Sequence, residues 1–407
     1  MSRVAKLTVL CSSFLILSYV ALGYVLGKTT DDRAYRALAV FGEVLQHIQQ
    51  DYVEDANLPL VTSGALHGLL ESLDPQSSYL SPQAYAEYRK KTQNGAKGET
   101  GAVLSKRFGY IVVVTVLPDS PAEKAGVRNG DIMEAIAGFT TREMSIGQAQ
   151  ILLAGDPGTT VKVSVVRRPR MELHELELTR SRLAVPPILT DRIEGDIAYL
   201  RIPTLNAGKA EEIRQKLLEA ERQGARKLIL DLRDCAQGET AEGIATARLF
   251  LTSGTIATLR GQTTPHQEFA AEPAKVVWKH PVTVLISGGT SGAAEVLAAA
   301  LADNQRGDTV GERTFGTASE QKLIPLDDGA ALVLTVANYY TPGGKSIPDA
   351  GVAPTVPVSA RDDLAELDDD LPLKQEPSRE DQALKKAIEL LLAPSPATQQ
   401  GETRKAA

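Results

Sequence analysis

The chain opens on an uncharged run. Leu7 to Leu26 spans 20 residues without a charge, with Arg3 and Lys6 ahead of it and Lys28 behind. A helix of that length matches the hydrocarbon core of a bilayer. Basic residues ahead of it place the N-terminus in the cytoplasm and the rest outside. The expectation is a single-pass signal anchor within residues 1–28, in the inner membrane, with the bulk of the chain periplasmic. The alternative is a cleaved signal and a soluble periplasmic form. The run closes Ala21-Leu22-Gly23-Tyr24-Val25-Leu26-Gly27 with no clear A-x-A cleavage site, which favours the anchor. A buried core helix fits poorly with basic flanks at an N-terminus.

Beyond the run the apolar period is helical. Ala34, Leu38, Phe41, Leu45, Ile48 and Tyr52 recur at steps of three and four over residues 31–53, the pattern of an amphipathic helix. Leu66, Leu69, Leu70 and Leu73 continue it until Asp74-Pro75, and Tyr85 and Tyr88 mark a short third helix. Residues 29–95 thus form a helical N-terminal region. The period changes after Gly98. Tyr110–Val116 predicts a strand, Ser120 to Gly126 a short capped helix, and Asn129-Gly130-Asp131 a turn. Ile132–Ile136 predicts a strand, Gln148–Ala154 a helix and Val161–Val166 a strand. That order of elements over residues 96–172 is the layout of a PDZ domain, a peptide-binding module.

From Ala198 the chain alternates. Strands are predicted at Ala198–Ile202, Lys227–Leu232 and Val282–Ile286, and helices at Ala210–Glu221, Ala241–Leu251 and Ala293–Ala302. Such alternation makes residues 173–360 an α/β core with crossover connections. Residues 361–407 comprise an acidic stretch, a short helix at Arg379–Ala393 and a polar tail.

Composition narrows the function classes. The chain has 407 residues and a net charge of −7, with no basic footprint for nucleic acid. Cys11 and Cys235 are too few for a disulfide framework. The five histidines show no metal-ligand spacing, so neither a metal nor another cofactor is expected.

Three segments carry the candidate chemistry. Residues 284–296, VLISGGTSGAAEV, run strand, glycine turn, helix, an arrangement that can aim backbone N–H groups at a developing oxyanion. Residues 228–240, LILDLRDCAQGET, end a strand in a loop able to supply a second donor. Residues 311–321, GERTFGTASEQ, face the same cleft. With DYVED and ESLDPQSSYLSPQAY upstream, and IPLDDGAALVLTVANYYTPGGKSIPDAGVAPTVPV downstream, the chain resembles the carboxyl-terminal processing peptidases, or tail-specific proteases. The resemblance implies a ClpP/crotonase-like α/β core with an inserted PDZ domain, a serine nucleophile and a lysine base.

Residue by residue, the resemblance breaks at the chemistry. The family's GG[ST]ASASE stretch reads Gly288-Gly289-Thr290-Ser291-Gly292-Ala293-Ala294-Glu295, so Gly292 stands at the nucleophile position. The family's TFGKGS reads Thr314-Phe315-Gly316-Thr317-Ala318-Ser319, so Thr317 stands at the lysine position, while Gln321 matches a retained glutamine. The oxyanion positions implied are Gln237, Gly238 and Ala293, with Gln237 in place of a glycine. Glycine cannot attack a carbonyl, and threonine cannot serve as an amine base. Ser291, Ser287 and Ser319 lie nearby without an evident base, Lys322 is expected on the strand face opposite Gln321, and Cys235 reads as a small buried residue.

The PDZ groove departs too. Its carboxylate-binding loop reads Gly98-Glu99-Thr100-Gly101-Ala102, and Glu99 would repel a C-terminal carboxylate if it faced the groove. The resulting expectation is a catalytically inactive homologue that binds exported protein or peptide tails, or a partner peptidase, as adaptor or regulator. The alternative is an active periplasmic serine endopeptidase using non-standard groups. Self-association through residues 31–73 and 379–393 is a further expectation.

Overall fold

The computed structural model describes residues 32–93, 98–142, 144–167, 171–348, 350–359 and 381–393, together with Ser18. The chain divides into two units, residues 1–66 and 67–407. Helix α1 (Asp32–Asp51) and most of α2 (Leu58–Glu71) belong to the first. Tyr35, Leu38 and Val44 of α1 are more than half exposed. No helix among the described residues is long and apolar enough to cross a membrane, and of the expected anchor only Ser18 is described.

In the second unit, β1 (Ser78–Leu80) and α3 (Pro82–Gln93) precede a small antiparallel sheet. That sheet is built from β2 (Ala102–Arg107), β3 (Tyr110–Val116), β4 (Ile132–Ile136), β5 (Phe139–Thr140), β6 (Thr160–Arg167) and β7 (Glu172–Thr179). Its order is β2-β3-β4-β6-β7, with β5 on β4. Two helices complete it, α4 (Pro121–Lys124) and α5 (Ile146–Leu153), each begun by a serine. The Ser120 hydroxyl accepts from Glu123 N, and Ser145 and Gln148 cap reciprocally, so both helices start where the sequence places a polar side chain able to satisfy free amides. Ile111, Val113, Met133, Ile136, Ala149 and Val163 fill its core. β7 pairs with β6 along its whole length, so this sheet runs past the expected boundary at residue 172 to Thr179.

The larger part begins with β8 (Leu189–Ile193), β9 (Ile197–Arg201), α6 (Lys209–Arg222), β10 (Lys227–Asp231) and α7 (Thr240–Arg248). It continues with β11 (Thr255–Arg260), β12 (Gln267–Ala270), β13 (Val282–Ile286), α8 (Ala293–Asp303), β14 (Asp308–Gly311) and β15 (Ser319–Pro325). It ends with β16 (Ala331–Tyr340), β17 (Val356–Pro357) and α9 (Gln382–Leu392). The strands form two sheets. One has the order β17-β14-β13-β10-β9-β8, parallel except for β8. The other is antiparallel, β1-β16-β11-β12, with β15 on β16.

Helix α8 packs on α7 and β11, and every residue from Ala293 to Leu301 is buried. Its run of alanines follows from that position, since small side chains let neighbouring elements approach. At Gly243 of α7 a Cβ would stand 2.3 Å from the Ala293 carbonyl oxygen. On the opposite face of the parallel sheet, Ala387 and Leu391 of α9 join Ile229, Leu285 and Val310. Asp381 begins α9, accepting from Leu384 N, and also receives Arg233 at 2.8 Å.

Candidate active site

The fully buried strand β13 delivers the glycine turn at the top of the parallel sheet. Thr290 locks it, accepting from Ser287 N at 3.0 Å and donating to the Leu232 carbonyl at 2.8 Å. The Ser291 amide donates to the Cys235 carbonyl at 3.0 Å, tying this turn to the loop after β10. Gly292 then begins α8 with φ 60° and ψ −115°. That conformation strains any residue with a Cβ. A Cβ there would meet nothing within 4 Å, so this position has space for a side chain.

Glu295 organises the other side. It is fully buried, and its carboxylate accepts from Gly292 N at 2.9 Å, Gly316 N at 2.6 Å and Thr317 N at 2.8 Å, and from the Thr314 hydroxyl. Burial pushes its pKa up, and the donors from Thr314, Thr317, Gly292 and Gly316 pull against that shift. The 314–317 loop is thereby clamped against the start of α8, and Thr314 passes the clamp on by accepting from Val352 N at 2.7 Å. As a result Thr317, 26 positions from Ser291 in sequence, hydrogen-bonds it hydroxyl to hydroxyl. No amine, imidazole or carboxylate among the described residues bonds either hydroxyl.

The remaining site positions fall around this pair. Gly238 has φ 145°, and a Cβ there would lie 2.4 Å from the Leu205 backbone, so this position requires glycine. The Gln237 carbonyl accepts from Leu205 N at 2.8 Å. Ala293 is the first residue of α8, directly after Gly292. Gln321 lies exposed on β15 and donates to Gln76 Oε1 at 2.6 Å and to Ser319 Oγ at 2.8 Å, rather than to the Thr317 side chain. Cys235 is buried, and burial, with Asp231 and Asp234 nearby, pushes its thiol up to about 12. Such a thiol stays protonated and is a poor nucleophile.

Residues that pattern reasoning passed over hold the site in place. The Gly292-x-x-Glu295 spacing is a helix-start signal that points to Glu295, but nothing in the pattern shows that the same carboxylate also binds a loop twenty residues on. Asp74 holds Gln76 N and Ser77 N, and also the Thr335 hydroxyl at 3.1 Å on β16. That places Gln76 beside Ser319 and Gln321. In the PDZ-type loop, Gly98 and Thr100 are buried while Glu99 is exposed, its backbone paired with Ser181. The Gly101 carbonyl accepts from Leu117 N at 2.9 Å, and Ala102 starts β2.

A strand, a strained turn aimed into a cleft, a helix behind it and a clamped partner loop make a peptidase-type site. Residues 196–358 match the family model for peptidase family S41, and residues 112–167 match a PDZ domain model. The chain is 30% identical over 350 residues to the carboxy-terminal-processing protease of Bartonella bacilliformis, covering 85% of this chain and 80% of that one. It is 28% identical to the carboxy-terminal processing protease CtpA of Bacillus subtilis, over 87% of this chain and 76% of the relative. Among solved structures, a photosystem II D1 C-terminal processing protease aligns with a TM-score of 0.66 at 28% identity, over 79% of this chain and 92% of that one. The chain belongs to the carboxy-terminal processing proteases of peptidase family S41, with a PDZ domain inserted in a mixed α/β fold.

Proposed function

We propose that this chain is a catalytically inactive member of its family, which binds exported polypeptides or a partner peptidase as an adaptor or regulator. In this reading residues 7–26 hold it at the inner membrane, with the PDZ domain and core on the periplasmic side. The observation that carries it is the Ser291–Thr317 pair. Where the resemblance calls for a side-chain nucleophile and an amine, the chain offers a glycine and two hydroxyls bonded to each other. A hydroxyl cannot take the proton that a serine must lose to attack an amide.

The test is cleavage of an unfolded reporter with a nonpolar tail by the purified full chain. The expected result is an intact reporter. Turnover that disappears in Ser291→Ala would overturn this reading in favour of a serine endopeptidase with non-standard groups.

A further inference from the structure

One carboxamide ties the PDZ domain to the loop after β10. Asn129 Oδ1 accepts from Val116 N of β3 at 3.0 Å, and Asn129 Nδ2 donates to Asp234 Oδ1 at 2.9 Å. Asp234 has φ 62°, a strained value for a residue with a side chain. It is joined in turn to the glycine turn before α8. Its amide donates to Ser287 Oγ at 3.2 Å, and the same oxygen accepts from Gly289 N at 3.1 Å. An asparagine suits this bridge because its side chain carries an acceptor at one end and a donor at the other.

The residue after Asn129 is Gly130, and that pairing is chemically labile. The glycine amide is an unhindered nitrogen within reach of the asparagine side-chain carbonyl carbon. When that nitrogen attacks Cγ, a cyclic imide closes and the Cγ–Nδ2 bond breaks. Ammonia leaves, carrying the proton of the Gly130 amide. Water then opens the imide at either carbonyl and leaves aspartate or isoaspartate at position 129. Gly130, with φ 84°, has no atom within 4 Å of a Cβ placed on it, and both residues line a cavity of about 690 Å³. Neither crowding nor lack of water therefore blocks the reaction. Hydrogen bonds oppose it instead. The Gly130 amide donates to the Val113 carbonyl at 2.8 Å, Asp131 N closes the turn on the Arg128 carbonyl at 3.1 Å, and the carboxamide is held at both ends.

We propose that Asn129-Gly130 is a deamidation site gated by the contact with Asp234. While the contact is made, the carboxamide is fixed and the imide closes slowly. When it opens, the side chain turns freely and the imide forms. The product cannot remake the bond. A carboxylate at position 129 still accepts from Val116 N, but it has no proton to donate and meets Asp234 as a like charge. Loss of ammonia makes the change one-way, so each opening that goes on to react severs this tie between the PDZ domain and the glycine turn. The site does not depend on whether the chain cleaves polypeptides.

The test is peptide mapping by mass spectrometry of the full chain held at pH 8 and 37 °C. Asn94-Gly95, the other Asn-Gly pair in the sequence, serves as an internal clock. In urea the two asparagines should convert at similar rates, and in the native chain Asn129 should convert about tenfold more slowly than in urea. Asp234→Ala removes the acceptor and should raise the native rate at Asn129 about threefold or more, relative to Asn94. Asn129→Asp supplies the product directly. It should speed hydrogen exchange at the Asp234 and Gly289 amides while the Val116 amide stays protected. Equal native rates at Asn129 in the parent and in Asp234→Ala, or a native rate equal to that in urea, would each overturn the proposal. So would an Asn129→Asp chain whose exchange matches the parent's. A faster Asp234→Ala chain that also loses protection across β6 and β7 would overturn it too, because the turn would then open with the whole domain.

Discussion

Ser291 Oγ and Thr317 Oγ1 hydrogen-bond to each other across the cleft, and the Thr317 amide is fixed to Glu295 at 2.8 Å. One of the two hydroxyls donates to the other, in a half-buried place where a charged amine would need solvation or a counter-charge. The same clamp that would hold a base in register here holds a threonine.

Gly292 relieves a strain that a chiral residue would carry. With φ 60° and ψ −115°, the backbone lies outside the regions that L-residues favour. Open space around the built Cβ means the cost is conformational and not steric. Gly292→Ser and Gly292→Ala should each lower unfolding free energy by about 1–3 kcal/mol. Urea denaturation checks this, and equal losses in the two variants would assign the cost to the backbone.

Cys235 should be chemically silent in the folded protein. Its thiol is pushed up to about 12, first by burial and then by the charges of Asp231 and Asp234. At pH 8 roughly one such thiol in ten thousand is ionised. In the Cys11→Ser chain, iodoacetamide should label Cys235 only after denaturation. The sign of the linkage follows. The unfolded thiol loses its proton near its ordinary value, the folded one not until about 12. The unfolded state therefore binds fewer protons between those values, and this group lowers stability as pH rises through that window.

Much of the fold is legible where one element decides its own fate. Tyr110–Val116, Ile132–Ile136 and Val282–Ile286 run as the apolar pattern predicts, because each is a short, mostly apolar run bounded by turns. β8 (Leu189–Ile193) escapes the pattern because four of its five residues are exposed, which removes the alternation that betrays a half-buried strand. β7 does alternate, with Leu176 and Leu178 inward between exposed Glu175, Glu177 and Thr179. In the site, Gly292 and Thr317 could be placed by motif, but their consequence could not. The Ser291–Thr317 contact exists because Glu295, a helix residue, grips a loop far along the chain, and a local pattern carries no record of such convergence.

The C-terminal helix should depend unequally on the two ends of its tether. Arg233 bonds fully buried Asp231 and, at 2.8 Å, Asp381, and Asp231 also accepts from the Tyr199 hydroxyl at 2.6 Å. Arg233→Ala leaves Asp231 a buried charge with only that hydroxyl and the residue 233 amide as donors, a loss of about 3–5 kcal/mol. Asp381→Ala removes a half-exposed partner and a helix cap, a loss of about 1–2 kcal/mol. Hydrogen exchange should show Gln382–Leu392 opening in Asp381→Ala while the parallel sheet stays protected. In Arg233→Ala the sheet itself should lose protection.

Restoring chemistry should need more than two side chains. Gly292→Ser alone supplies a hydroxyl with no base, so it should leave an unfolded reporter intact. Gly292→Ser with Thr317→Lys places an amine where the Glu295 clamp already fixes the backbone, and slow turnover should appear. Gln237 still stands where the resemblance calls for a glycine, and an impaired oxyanion donor costs about 10²–10³ in rate. Adding Gln237→Gly should therefore raise turnover by up to that factor, measured as kcat on the reporter rather than as KM. Adding the glycine without effect would mean that Gln237 does not limit the chemistry. A double variant that folds and stays inert would place the loss deeper in the cleft than the dyad.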